Sequence, residues 1–189
     1  MRAMRIILIV VVVLGVTLAV LTRGMGLSAN RAVGPAEERL ARWARAWTLP
    51  AEYRTMANPV EATPEALRAG MEHWADHCAL CHGNDGSGDV AVGRNLSPPA
   101  PDMRASATQE LGDGALFYAI EQGIPFTGMP AWSNGTRAGE QSSWELVLFI
   151  RHLPRLTPAE LGEMETLNPK SAADLERERQ IQEFLGGGS

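Results

Sequence analysis

The stretch Cys78-Ala79-Leu80-Cys81-His82 constrains this chain more than any other. Two cysteines separated by two residues and followed at once by histidine form the arrangement that attaches c-type haem. The spacing has a physical basis. Each thiol forms a thioether to one of two vinyl groups on one porphyrin edge, and the two intervening residues let a turn of chain span that edge. The next residue then lies beneath the iron, where a ring nitrogen of His82 serves as proximal ligand.

Three other readings are weaker. Half a zinc site would need a second pair of ligands. The chain has only these two cysteines, and His73, His77 and His152 do not supply that pair. A thioredoxin-like redox pair is expected beside a βαβ pattern, and none surrounds the motif. A disulfide closing a two-residue loop would be strained. A domain filled by a cofactor also fits the aromatic content, only 11 residues of 189.

The N-terminus bears on compartment. Arg2 and Arg5 precede an apolar run from Ile6 to Thr22. Its seventeen residues give about 26 Å of helix, at the short end for crossing a bilayer. A cleaved signal would need small residues before its cut; Ala29 with Leu27 two positions earlier is a poor match. Residues 1–24 therefore read as a retained transmembrane anchor, or an uncleaved signal. Arg23 and Arg31 follow the run as Arg2 and Arg5 precede it, so flanking charge does not orient it. Haem c is attached outside the cytoplasmic membrane, which places the domain on the periplasmic or outer side of a single-pass protein. The formal net charge of −5 gives a nucleic-acid role no support.

Residues 25–62 read as a linker containing an amphipathic helix over 35–49. There Leu40, Trp43, Ala44 and Trp47 make one apolar stripe flanked by Arg39, Arg42 and Arg45. The helix either packs on the following domain or lies at a membrane surface. Ala51 to Ala62 reads as extended linker. Thr63-Pro64 then caps a helix running to His77. Gly83 to Gly93 reads as loop, and Pro98, Pro99 and Pro101 keep the chain extended. A helix is expected over 114–122, closed by Gly123. Ser133 to Gln141 reads as polar loop, with Ser142-x-x-Glu145 as a capping box opening a helix over 144–153. Residues 155–189 form an acidic helical extension: Thr157-Pro158-x-Glu160 is another cap signature, and Ser171 caps a last helix bearing Leu175, Ile181 and Leu185. His73 and His77, spaced i, i+4, read as surface or packed histidines.

An electron-transfer haem requires a second axial ligand. Six of the eight methionines lie in the N-terminal segment, the linker, the helix before the motif or the tail, leaving Met103 and Met129. Met129 sits between Gly128 and Pro130, an exposed and rigidly held loop position far enough beyond His82 to return to the opposite haem face. It is the expected ligand; Met103 and His152 are rivals. Thioether ligation favours ferrous iron and raises the potential.

Gly70-x-x-x-Trp74, the Cys-Ala-Leu-Cys-His-Gly motif, the Gly-Met-Pro loop and a final aromatic-bearing helix together resemble a class I monohaem cytochrome c domain, here over 63–154. The likeness is to short, membrane-anchored bacterial forms. It implies an all-α cytochrome c fold around one covalently attached haem, with Cys78, Cys81, His82 and Met129 as its cofactor-binding residues and His82 and Met129 on the metal. It implies that Gly70 on the first helix meets Phe149 on the last. It also implies a backbone carbonyl, at Pro98 or a neighbour within Leu96 to Pro101, accepting from the proximal histidine. One departure stands out: between Ala51 and Leu153 there are six arginines, thirteen acidic residues and no lysine. A lysine-rich docking face is absent, so a partner must be locally basic or dock through apolar contact at the haem edge.

The expected role is electron transfer without catalysis, between membrane redox complexes or periplasmic redox proteins, with lipid held by the N-terminal helix. One alternative is a permanent haem c subunit of a larger oxidase or dehydrogenase. Another is a haem sensor or enzyme with an open iron site.

Overall fold

The helix that carries the motif starts where Thr63 and Pro64 set it. The Thr63 hydroxyl accepts from the Ala66 amide at 3.1 Å, satisfying one of the helix's orphan donors, and Pro64 occupies the first helical position. The protein is described here by a computed structural model covering residues 2–25, 33–170 and 172–186. It divides into two units, Met1–Arg31 and Ala32–Ser189. The first contains α1 (Arg2–Met25), whose 22-residue stretch Arg2–Arg23 is long and apolar enough to cross a membrane and is fully exposed.

In the second unit the helices are α2 (Pro35–Thr48), α3 (Ala51–Arg54), α4 (Pro64–His73), α5 (Ala79–His82), α6 (Ala91–Asn95), α7 (Ser106–Gln109), α8 (Asp113–Gln122), α9 (Arg137–His152), α10 (Pro158–Leu167) and α11 (Ala172–Gly186). Among the described residues there is no strand, so the chain is all-α. A π-helical turn, Trp74–Cys78, joins α4 to α5.

The core forms where α4 crosses α9. Gly70 makes the crossing possible: a Cβ there would collide with the Glu145 carbonyl and touch Phe149 Cβ. Around it Trp74, Leu146, Val147, Phe149 and Leu153 are buried. Each such side chain contributes roughly 1.5–3 kcal/mol by leaving water. α8 adds Leu116, Phe117 and Ile120, with Phe117 stacked on Trp144 at 4.1 Å.

The structure departs from the sequence reading in three places. The final helix of the crossing begins at Arg137, not Trp144, because Thr136 is its cap and accepts from the Gly139 amide. Ser142 lies inside that helix and donates to the Ala138 carbonyl. The stretch after Pro50 is docked rather than extended: Tyr53 of α3 lies 4.9 Å from Tyr118, Gly114 donates to the Met56 carbonyl, and Asn58 donates to the Trp144 carbonyl. The segment after the motif contains α6.

α10 has the expected capping box between Thr157 and Glu160 and buries Met164 completely in the main core. Arg68 of α4 reaches Glu163 at 2.6 Å across the same contact. In α11, Leu175 and Ile181 are exposed; Ser171 and the Leu185 side chain lie outside the described residues.

Candidate functional site

The motif sits where the first long helix ends. Cys78 closes the π turn and Cys81 and His82 lie on α5, so the three share one continuous stretch of helix. A π turn carries one extra residue in its hydrogen-bonded ring, and such turns recur at functional positions. Trp74, which opens this one, donates its indole N–H to the Gly83 carbonyl at 3.0 Å. That bond ties the start of the π turn to the residue just past His82. The indole also packs 5.6 Å from the His82 ring and 5.8 Å from Phe149.

No disulfide joins Cys78 and Cys81. Burial, with the neighbouring Cys81 adding to it, pushes the Cys78 thiol up to about 12. A redox-active cysteine works through a stabilised thiolate, so the burial of Cys78 speaks against that reading.

The side chain of His82 is half-buried, and its Nδ1 is fully enclosed without a hydrogen-bond partner at ordinary geometry. Burial holds its pKa below the usual histidine value, and the Pro101 carbonyl, facing the ring from outside strict hydrogen-bond geometry, offsets this in part. Among the expected acceptors, Pro101 rather than Pro98 is therefore the carbonyl presented to the histidine. An imidazole with one nitrogen enclosed by protein is oriented as a metal ligand requires. This orphaned nitrogen, with two thiols on the same turn, fits a covalently attached haem.

The loop beyond the motif is held against it. The Gly88 amide donates to the His82 carbonyl at 2.8 Å, Ala100 to the Gly93 carbonyl at 3.0 Å, and Met103 to the Gly86 carbonyl at 2.7 Å. Gly93 of α6 packs so closely on the Cys81 carbonyl that a Cβ would overlap it. Met103 is thereby committed to this loop and packs on the core.

Met129 lies in the loop between α8 and α9 and is half-buried. The loop is internally braced: Thr127 donates to the Ile124 carbonyl at 2.7 Å, Met129 donates back to the Thr127 hydroxyl at 3.1 Å, and Ile124 donates to the Met129 carbonyl at 3.1 Å. Gly128 rests on the side chain of Leu96, the residue that ends α6. Contacts thus run from Cys81 through α6 and Leu96 to the methionine loop.

The other histidines have partners. His152 bonds Glu160 at 2.7 Å. His73 and His77 meet edge to face at 4.9 Å, and His77 also contacts Asp76 and Trp132. Among the described residues, no group of three or more His, Cys, Asp or Glu side chains is arranged to hold a metal ion. Sequence reasoning missed the Trp74–Gly83 bond and the Cys81–Gly93 contact; the Trp at 74 and the glycines after the motif were the available signals.

Residues 65–150 match the family described as Cytochrome C oxidase, cbb3-type, subunit III. Over this stretch the chain is similar to a c-type cytochrome domain. Similar proteins include Cbb3-type cytochrome c oxidase subunit FixPc of Rhizobium leguminosarum bv. viciae, 31% identical over 94 residues. That alignment covers 48% of this chain and 29% of the relative. Subunit FixP of Rhizobium meliloti (strain 1021) is 30% identical over 104 residues, covering 54% of this chain and 33% of the relative. The chain thus spans about a third of the length of these curated relatives. The cytochrome domain, preceded by one apolar N-terminal helix, has the composition of a membrane-anchored c-type cytochrome.

Proposed function

We propose that this protein carries single electrons on the outer side of the cytoplasmic membrane. Cys78 and Cys81 would hold one haem c covalently, and His82 and Met129 would ligate its iron. The observation that carries the reading is the enclosed, unpartnered Nδ1 of His82, on the same turn as the two thiols. Haem, when bound, supplies a one-electron ferric/ferrous couple. The chain's own residues fix the ligands. Trp74 braces the turn that bears His82, and Thr127 and Leu96 support the methionine loop. With His82 and Met129 both committed to the iron, the site would leave no place for substrate, and the domain would act as a carrier without catalysis of its own.

Partners are membrane redox complexes or periplasmic redox proteins. The anchor confines the domain near them, so high effective concentration replaces tight binding. The acidic surface calls for a locally basic partner or for apolar contact, which the exposed Leu80, Val92 and Phe126 offer.

A second reading, favoured by the match to an oxidase subunit family, makes the chain a permanent subunit of a membrane oxidase. Solubilisation from native membrane in mild detergent separates the two. A carrier elutes alone, with one haem per chain by the pyridine haemochrome assay, whereas a subunit elutes with oxidase polypeptides. Rapid carbon monoxide binding by the native ferrous protein would overturn both in favour of an open iron site.

A further inference from the structure

The second unit leaves one amphipathic helix face uncovered. Leu40, Trp43 and Trp47 of α2 share one side of the helix and are 63%, 62% and 69% exposed. The two indoles stack in parallel, 6.1 Å apart. No residue of α2 is buried, whereas Trp74 and Trp144 lie in the core. Two adjacent exposed tryptophans beside an exposed leucine are costly in water and need a cover.

Three observations point to lipid as that cover. The first is reach. Nine residues, 26–34, separate α1 from α2, and even fully extended they span at most about 30 Å. If α1 crosses the bilayer, α2 cannot leave its vicinity. The second is charge. Beyond the apolar run, residues 23–54 carry six basic and three acidic side chains, while residues 55–189 carry nine and nineteen. The membrane-proximal segment is therefore net cationic and the remainder strongly anionic, the polarity that draws α2 to anionic phosphate and keeps the cytochrome domain off it. The third is residue chemistry. Tryptophan prefers the headgroup level, where its apolar ring and N–H are both satisfied, and arginine on the flanks reaches phosphate while its stem covers apolar surface.

We propose that α2 is an interfacial helix, lying in the headgroup layer of an anionic bilayer with Leu40, Trp43 and Trp47 inserted and Arg39, beside that stripe, directed to phosphate. The inference rests on α1 being a membrane anchor. Its consequence is orientational. Arg54 donates to the carbonyls of Trp47 and Leu49, and Tyr53 packs on Phe117 and Tyr118. The end of α2 is thus joined through α3 to α8, and a helix fixed at the surface limits the tumbling of the cytochrome domain.

The test uses the full-length, haem-loaded protein in vesicles of phosphatidylcholine and phosphatidylglycerol. Thioether formation leaves no native thiol, so Leu40→Cys and, on the charged face, Glu38→Cys each carry one nitroxide. Both sites are exposed, and folding is checked by the haem spectrum. For Leu40→Cys, oxygen dissolved in the bilayer should relax the label severalfold more than a water-soluble nickel chelate does; Glu38→Cys should show the reverse. Equal, water-like accessibility at both sites overturns the proposal, as does a Leu40 label shielded from both reagents, which would mean a protein cover. Failure of the protein to float with the vesicles removes the anchor, and the proposal with it. Floating with a water-exposed Leu40 label overturns the proposal alone.

Discussion

Glycine to alanine should have opposite effects at two helical positions of this domain, and the structure sets both signs. In an exposed helix interior, alanine is about 1 kcal/mol better than glycine. Gly162 of α10 meets that condition, since a Cβ there encounters nothing within 4 Å. Gly162→Ala should therefore stabilise by roughly 0.5–1 kcal/mol. Gly70 gains the same propensity but places its methyl group against the Glu145 carbonyl, with Phe149 Cβ at 3.1 Å. The obstacle is backbone inside α9, which cannot swing aside as a flexible side chain would. Overpacking costs about 1–3 kcal/mol and sometimes more, and here the upper end applies, so the net change is a loss of about 2 kcal/mol. For a chain of this size that lowers Tm by roughly 4–8 °C. The assay is guanidinium unfolding of the haem-loaded protein in detergent, followed by tryptophan emission and the haem band. A lower midpoint with unchanged slope is the expected result for Gly70→Ala. Equal or greater stability than wild type would show that α4 and α9 do not cross at this residue.

Four further outcomes follow from named contacts. Trp74→Phe keeps the ring but loses the N–H to the Gly83 carbonyl, and should cost about 1–3 kcal/mol of stability in the same unfolding experiment because a buried acceptor is stranded. Arg151 donates to Asp113 and to the carbonyls of Gln109 and Leu111, binding α9 to the start of α8. Arg151→Lys cannot reproduce that fork and should lose about 1.5–3 kcal/mol; wild-type stability would refute the clamp. The Arg104 guanidinium hydrogen-bonded to Asp102 holds that carboxyl below its usual range. Its contribution is present above the unfolded-state value and is lost as pH falls through the lower folded one. The stability gap between wild type and Asp102→Asn should therefore close as pH drops below about 4, and a gap that persists at low pH would contradict it. Phe149→Ala empties a fully buried site in the α4–α9 crossing and should cost about 3–5 kcal/mol, measured by the same denaturation.

Local chemistry made parts of this architecture legible in the sequence. Thr63-Pro64 and the Thr157/Glu160 box cap their helices because cap residues act through bonds to amides within one turn. The approach of Gly70 to Phe149 was available only through resemblance, since nothing local distinguishes a crossing glycine from any other. The early start of α9 was missed because Arg137 to Gln141 is polar: that turn of helix faces solvent, so it lacks the apolar periodicity that advertises a helix. The docking of the 51–62 segment depends on tertiary partners for Tyr53 and Asn58, and the burial of Met164 on where α10 lands; neither is encoded within a short window. At the site, the motif itself was legible. The π turn, the Trp74 brace and the choice of Pro101 over Pro98 all depend on three-dimensional placement.

Ligation of the iron by His82 and Met129 is read from the optical spectrum of the purified ferric protein beside Met129→Ala. A weak far-red sulfur-to-iron charge-transfer band is expected in the wild type and should disappear in the variant, together with a lowered reduction potential as the thioether is lost. A band absent from both proteins, or unchanged by the substitution, would contradict it. Such a result would leave a haem held by His82 with a different ligand, or none, on its other face.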